Sequence, residues 1–153
     1  MSEPGYRKQA VQLIKPGTMA PNWELINYAD KQKITLANYS GKVILMEFWI
    51  KNCGYCIEAV KQLNQLNDNY KKDSFKLLAV NTEDDSKAIE QFIAKRDVKY
   101  TVLYGTNSAI NKNYGITAFP QVVLINKAGE VIYSGDFDFT QLKLLIDKEI
   151  WFF

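Results

Sequence analysis

Two cysteines stand where a buried strand gives way to a helix, and this junction constrains the fold more than any other stretch. Residues 43–46 form an apolar run, which is typical of a strand buried on both faces of an α/β sheet. After residue 56, apolar residues recur at three- and four-residue steps, which predicts an amphipathic helix. The sequence therefore places Cys53 and Cys56 in the first turn of a helix that follows a central strand.

The position of Cys53 predicts its chemistry. The first N–H groups of a helix lack partners within the helix, and the positive end of the helix dipole lies beside them, so an anion is favoured there. A thiolate is such an anion, and we expect Cys53 to have a lowered pKa and to be a good nucleophile. Cys56 lies about one turn further along, at a spacing that allows a short, strained and reducible disulfide. The alternative for both cysteines is an inert structural role in the core.

Composition excludes several competing functions. The 153 residues include no histidine, which excludes His-based triads and His metal sites. Two cysteines are too few for a structural zinc site, and we expect neither a metal nor an organic cofactor. A net charge of +2 without a basic stripe argues against a nucleic-acid partner.

The targeting signals are sparse. No apolar run reaches the length of a membrane span, and residues 1–5 lack the apolar core of a signal peptide. We therefore expect either a cytoplasmic protein or a mature form whose signal has been trimmed.

The pattern along the chain predicts one α/β domain with a mixed sheet and helices on both faces. After an N-terminal extension the predicted order is β-α-β-α-β-α-β-β-α, in which alternation implies parallel strands and the late hairpin adds antiparallel ones. We expect an irregular extension over residues 1–19 and the domain over residues 20–153. The predicted strands are 43–50, 75–81, 100–104, 121–126 and 130–134, and the predicted helices are 53–70, one that ends before Val98, 108–114 and 139–150.

Four motifs follow one another in the order of a known family. Residues 20–25 read APNWEL, residues 47–49 read EFW ahead of the CGYC of residues 53–56, residues 114–120 read YGITAFP, and residues 122–132 form the final hairpin. Through these motifs the chain resembles the thioredoxin superfamily, and within it the TlpA/ResA-like thiol–disulfide oxidoreductases. The resemblance implies a thioredoxin-like fold with an N-terminal β extension and an inserted strand–helix segment.

Some positions depart from that family pattern. Asn52 stands where thioredoxins usually carry Trp, Lys61 replaces a helix proline, and Gln121 follows Pro120 where Thr is common. The CGYC sequence is also seen in DsbC-type disulfide isomerases, so the motif leaves the choice between reductant and isomerase open.

The resemblance implies catalytic roles for three residues. Cys53 would be the attacking thiolate and Cys56 the more buried resolving thiol. Glu47 would lie below the pair, where burial raises its pKa and lets it relay a proton to or from Cys56. The alternative for Glu47 is an outward-facing surface side chain, because the residues on both sides of it are apolar and alternation does not decide between them.

The resemblance also implies a substrate-binding surface. Pro120 would follow a cis peptide bond, and the backbone of Phe119 would pair with an extended substrate segment. The alternative for Pro120 is a proline that simply starts a strand. Gly54 and Tyr55 with Trp49 would form the walls of the active-site surface, although core packing is an equally good interpretation of Trp49.

The leading functional hypothesis is a disulfide reductase of exported proteins that takes electrons from a membrane thiol donor. We expect protein disulfides as substrates, a monomeric protein, and a cell-envelope or periplasmic location, because disulfides persist outside the cytosol. The alternatives are a disulfide isomerase or oxidant, suggested by CGYC, and a non-catalytic binding module on a thioredoxin frame.

Overall fold

The computed structural model describes residues 12–105 and 108–151, and within them strands and helices alternate as the sequence predicts. The strands are β1 (Glu24–Asn27), β2 (Lys33–Thr35), β3 (Val43–Phe48), β4 (Phe75–Asn81), β5 (Thr101–Tyr104), β6 (Gln121–Ile125) and β7 (Val131–Asp136). The helices are α1 (Gly54–Asn69), α2 (Ser86–Arg96), α3 (Ile110–Tyr114) and α4 (Phe139–Trp151), and a 3₁₀ turn covers Leu36–Tyr39.

The strands form one mixed sheet in the order β2-β1-β5-β4-β3-β6-β7. The central strands β3, β4 and β5 are parallel, whereas β6 and β7 and the β1–β2 hairpin pair antiparallel. The predicted mixed α/β sheet is therefore confirmed.

The sheet topology brings three loops to one edge. The parallel strands β3 and β4 both end there, and β6 begins there because it runs antiparallel to β3. The loop before α1, the loop after β4 and the loop before β6 therefore meet at this edge. It is where the carboxyl ends of parallel strands usually present functional residues.

Side chains of β3 alternate between two buried layers, as the period of a strand requires. Val43, Leu45 and Trp49 belong to the layer covered by α1, α2 and α4. Ile44, Met46 and Phe48 belong to a second layer, which is covered by α3 and the N-terminal segments. The expected helices on both faces are present.

Local chemistry at the helix ends agrees with the sequence. The Asp85 carboxylate accepts the N–H of Ala88 at 2.8 Å and begins α2, and Asp138 accepts the N–H of Gln141 at 3.1 Å at the start of α4. Gly115 ends α3 with a φ of +68°, the left-handed conformation that glycine adopts without strain.

The N-terminal part of the sheet is a hairpin joined to the central strands. Residues 33–39 form β2 and the 3₁₀ turn, β2 pairs with β1, and β1 also pairs antiparallel with β5. Ile26 lies opposite Tyr104 in that pairing. No local pattern specifies this contact, because its two strands are far apart in sequence.

Residues 14–20 run beside the β6–β7 hairpin. The N–H of Gly17 donates to the carbonyl of Val131 at 2.8 Å, and the N–H of Val131 donates to the carbonyl of Thr18 at 2.8 Å. The first eleven residues of the predicted extension lie outside the described residues, as do Phe152 and Phe153. Among the helices that are described, none combines the length and the apolarity that crossing a membrane requires.

Candidate active site

The two cysteines lie at the start of α1, where the sequence places them, and they form a disulfide. The Sγ of Cys53 caps the helix by accepting the backbone N–H of Cys56 at 3.1 Å. Cys53 is half-buried, whereas Cys56 is only 1% exposed. One sulfur atom is therefore open to an incoming group, and the other is shielded behind it.

The loop before β6 packs against the outer cysteine. The Sγ of Cys53 lies 3.5 Å from the carbonyl oxygen of Phe119, and the Phe119–Pro120 peptide bond is cis. The side chain of Gln121 holds this loop, because its Oε1 accepts the backbone N–H groups of Thr117 at 2.9 Å and Ala118 at 3.3 Å. The glutamine at this position thus supplies a loop brace from the first residue of a buried strand.

Glu47 is buried on the α1 side of β3. It is 2% exposed, and its neighbours across the sheet are Ala79 and Val122, both in the apolar layer that contains Cys56. Burial raises the pKa of Glu47 to about 8. Within the described residues its carboxyl group has neither a hydrogen bond nor an ion pair, so nothing offsets the cost of its charged form. The outward-facing alternative does not fit this burial.

Trp49 is a core residue and does not form a wall of the site, which corrects its assignment to substrate binding. Its side chain is 3% exposed, and its ring packs on Phe92 with a centroid separation of 4.4 Å. The strand alternation that turns Val43 and Leu45 toward the helices turns Trp49 the same way.

Gly54 and Tyr55 lie at the surface, between the two cysteines. The ring of Tyr55 is 75% exposed, which is unusual for a large aromatic side chain. It borders an open cleft of about 490 Å³. The cleft runs between α1, the loop before β6 and the end of β7, and its lining includes Glu58, Gln62, Phe119, Pro120, Asp136 and Phe137.

A polar network that sequence analysis missed holds the loop before Cys53. The Oδ2 of Asp84 accepts the backbone N–H of Lys51 at 2.8 Å and the side-chain amide of Asn81 at 2.8 Å. Asn81 is 1% exposed, and its Oδ1 accepts the N–H of Asp84 at 2.9 Å. The acidic run after β4 suggests only helix capping, which Asp85 provides, while its neighbour Asp84 braces the active-site loop.

The part of the chain that the structure describes contains no group of three or more His, Cys, Asp or Glu side chains placed to hold a metal ion. The site therefore consists of two sulfur atoms, one buried carboxyl group, a cis-proline loop and a cleft.

Comparison with known families matches the Redoxin family model to residues 15–141. The thiol–disulfide oxidoreductase ResA of Bacillus thuringiensis subsp. konkukian is 30% identical over 116 residues, which make up 76% of this chain and 66% of that protein. The chain thus spans slightly less than two thirds of the length of this curated relative. ResA of Halalkalibacterium halodurans is 24% identical over 120 residues, 78% of this chain and 68% of that protein.

Solved structures show the same fold. The thioredoxin domain of a thiol–disulfide oxidoreductase from Bacteroides vulgatus matches 87% of this chain and 99% of its own with a TM-score of 0.79, at 17% identity. A thiol–disulfide oxidoreductase from Bacteroides fragilis covers 84% of this chain and 99% of its own with a TM-score of 0.73, at 25% identity. The thioredoxin-like fold predicted from the sequence is confirmed.

Proposed function

We propose that this chain, which belongs to the Redoxin family and is a TlpA/ResA-like member of the thioredoxin superfamily, is a thiol–disulfide oxidoreductase acting through Cys53 and Cys56. The observation that carries this proposal is the unequal burial of two sulfur atoms at one helix N-terminus. Cys53 is half-buried and Cys56 is 1% exposed. Such a pair separates the attacking thiol from the resolving one.

The reaction proceeds in two thiol–disulfide exchanges. In the reduced protein the Cys53 thiolate attacks one sulfur of a substrate disulfide, forms a mixed disulfide and releases the first substrate thiolate. Cys56 then loses its proton and attacks the Sγ of Cys53, which breaks the mixed disulfide and releases the second substrate thiolate. Two electrons pass to the substrate, its two thiolates take up protons, and the protein is left as the Cys53–Cys56 disulfide.

The contacts of Cys53 suit it to the first step. Its Sγ accepts the backbone N–H of Cys56 at 3.1 Å, and a hydrogen bond to a charged acceptor is stronger than one to a neutral acceptor. The positive end of the dipole of α1 adds to this stabilisation. Both effects favour the thiolate of Cys53 and keep it reactive.

In the proposed second step Glu47 accepts the proton of Cys56. Both residues are buried on the α1 side of the sheet, with exposed fractions of 2% for Glu47 and 1% for Cys56. A thiol has an ordinary pKa of about 8.5, and burial raises the pKa of Glu47 to about 8. Because burial brings the pKa of Glu47 toward the range in which thiols ionise, this carboxyl group is suited to exchange a proton with a thiol.

The substrate docks beside the disulfide as an extended segment. The backbone of Phe119, which precedes Pro120, offers strand-like hydrogen bonds next to Cys53. The exposed Gly54 and Tyr55 form the opposite border. This arrangement holds the substrate sulfur near Cys53, the less buried of the two cysteines.

The family resemblance also suggests a cellular role for the protein. We propose that the protein reduces disulfides of exported proteins in the cell envelope and receives its electrons from a membrane thiol donor. Disulfides form and persist outside the cytosol, so that compartment supplies such substrates. The chain acts as a monomer without a metal or an organic cofactor.

Trapping the mixed disulfide tests the proposal. With an excess of dithiothreitol, the wild-type protein should accelerate the reduction of insulin over the reagent alone. Reduced Cys56→Ser should accumulate a covalent protein–substrate disulfide because resolution is blocked, whereas Cys53→Ser should form no such adduct. Absence of acceleration, or equal adduct formation by the two variants, would contradict the proposed roles. Repair of scrambled disulfides without net reduction would instead favour an isomerase.

A further inference from the structure

We infer that the cleft beside the disulfide selects polypeptide segments that carry a positive charge near the reacting cysteine, and that Glu58 and Asp136 determine this preference. The inference rests on the proposed function, since it names the class of protein disulfide that the Cys53–Cys56 pair reduces. Its central observation is an acidic cleft in which no cation of residues 12–105 and 108–151 forms an ion pair with either carboxylate.

One wall of the cleft is a single face of α1. Tyr55, Glu58 and Gln62 recur at three- and four-residue steps and therefore line up along the helix. Between them Ala59, which is 4% exposed, forms a small apolar floor. This wall begins next to Cys56 and extends away from it along the helix.

The other wall comes from the far end of the sheet. Asp136 ends β7 and Phe137 follows it, while Phe119 and Pro120 close the end of the cleft nearest Cys53. The cleft volume of about 490 Å³ is large enough to hold one or two side chains of an extended peptide. A substrate bound at Phe119 thus places the residues that flank its cysteine in this space.

The cleft carries two negative charges and no positive one. Among its lining residues only Glu58 and Asp136 are charged, and both are exposed to solvent. Across residues 12–105 and 108–151, neither carboxylate takes part in an ion pair. Both are therefore open to pair with a cation of the substrate.

A group of cations lies on the opposite flank of α1. A shallow recess there is lined by Lys61, Lys95 and Arg96, together with Asp97. The Oδ2 of Asp97 lies 3.8 Å from the Nζ of Lys99. The two flanks of the active-site helix thus differ in sign, so a charged substrate segment has a preferred side and a preferred direction.

A lysine or arginine side chain fits the acidic flank better than any other. Its alkyl stem can lie along Ala59 and Phe137, while its charged end pairs with a carboxylate. The exposed ring of Tyr55 adds a face for a cation. An acidic segment would meet like charges in the same space, which disfavours it.

A pair of matched peptides tests the inference. Each is closed by one internal disulfide and differs only in whether lysine or glutamate flanks the cysteines. Reduced protein is mixed with each peptide, quenched with acid and alkylated, and the second-order rate constant of protein oxidation is measured. Hydroxyethyl disulfide, which is small and uncharged, gives the intrinsic rate for each protein variant.

The lysine peptide should react about tenfold faster than the glutamate peptide at low salt, as expected for two partly exposed charge pairs. In Glu58→Gln/Asp136→Asn this ratio should fall to about twofold or less, because the residual difference comes from longer-range charges. The matched control Asp68→Asn/Asp73→Asn removes two carboxylates at the other end of α1 and beyond it, and should keep the wild-type ratio. Raising the salt concentration should shrink the wild-type ratio.

Three results would overturn the inference. Equal rates for the two peptides would show that the cleft does not discriminate between positively and negatively charged peptides. An unchanged ratio in the Glu58→Gln/Asp136→Asn variant would assign the preference to other residues. If neither the peptides nor hydroxyethyl disulfide oxidises the wild-type protein, the proposed function itself fails, and this outcome is distinguishable from a loss of preference alone.

Discussion

The two faces of β3 are both buried, yet only one of them carries polar chemistry. Toward α3 the strand presents Ile44, Met46 and Phe48, which are all apolar and at most 3% exposed. Toward α1 the same strand presents Glu47 in the layer that contains Cys56. A carboxyl group that would destabilise either face thus stands on the one that contains the proposed resolving thiol, Cys56.

This difference separates two tasks within one sheet. The face toward α3 stabilises the fold by apolar burial, and the ring of Phe48 packs there on that of Tyr114 at a centroid distance of 5.9 Å. The face toward α1 stabilises the fold less, because the charged form of the buried Glu47 carboxyl group is unfavourable in an apolar layer. We therefore expect substitutions on the two faces to affect different measurable properties.

The largest effect of a single substitution on stability should come from the face toward α3. Phe48→Ala leaves a cavity between the sheet and Tyr114 and should lower the free energy of unfolding by about 4 kcal/mol. Denaturant unfolding of the oxidised protein measures this loss. The control Phe48→Leu keeps most of the apolar volume and should lose about 1.5 kcal/mol or less. If Phe48→Ala unfolds like the wild type, this face does not carry the stability assigned to it.

The next effect should come from Glu47 and should depend on pH. Its pKa in the folded protein is about 8, against an ordinary value of 4.5, so the folded state holds a proton that the unfolded chain releases. The contribution of Glu47 to stability should therefore be fully present below about pH 4.5 and be lost as the pH rises through 8. The full difference corresponds to about 5 kcal/mol at about 1.36 kcal/mol per pKa unit.

Glu47→Gln should remove this pH dependence. The variant should be more stable than the wild type by about 3 kcal/mol near pH 9, because burying an amide offsets part of the gain. At pH 4 the carboxyl group is uncharged while the amide keeps its burial cost, so the variant should be less stable than the wild type by about 2 kcal/mol. Unfolding curves across this range measure the effect, with Glu24→Gln, at an exposed position of β1, as a control that should keep the wild-type slope. Parallel curves for wild type and Glu47→Gln would show that the carboxyl group is not desolvated.

A smaller effect on stability should come from the loop between β3 and Cys53, which Asp84 holds. Asp84→Ala removes the acceptor for the N–H of Lys51 and leaves the buried amide of Asn81 without that partner. The expected loss is about 2 kcal/mol of unfolding free energy, with slower attack by Cys53 because its loop is less well held. The control Asp73→Ala removes an exposed carboxylate whose contact is with Ser74 and should change neither property. Equal stability of the two variants would contradict the bracing role.

The sequence was informative where the signal is local. The apolar run of β3 and the helical period after Cys56 place the cysteines correctly, and Asp85, Gly115 and Asp138 mark helix ends that the structure contains. Local patterns combine period, length and capping chemistry, which depend on neighbouring residues only.

The remaining features depend on distant contacts. The direction of Glu47 is ambiguous in sequence because both faces of β3 are buried and apolar. Trp49 belongs to the core because of its contact with Phe92 on α2. The β1–β5 pairing, the bond from Lys51 to Asp84 and the acidic cleft likewise join residues that only the folded chain brings together.

The most direct test of the redox function is the equilibrium reduction potential of Cys53 and Cys56. Tryptophan fluorescence in graded dithiothreitol or glutathione buffers measures it, and Trp49, which shares a layer with Cys56, should carry the signal. Trp23 lies on the other face, so Trp23→Phe should keep the transition and Trp49→Phe should lose most of its amplitude. We predict a reversible two-electron transition near or below about −270 mV, the value of thioredoxin. The absence of any reversible two-electron transition would contradict the proposed function.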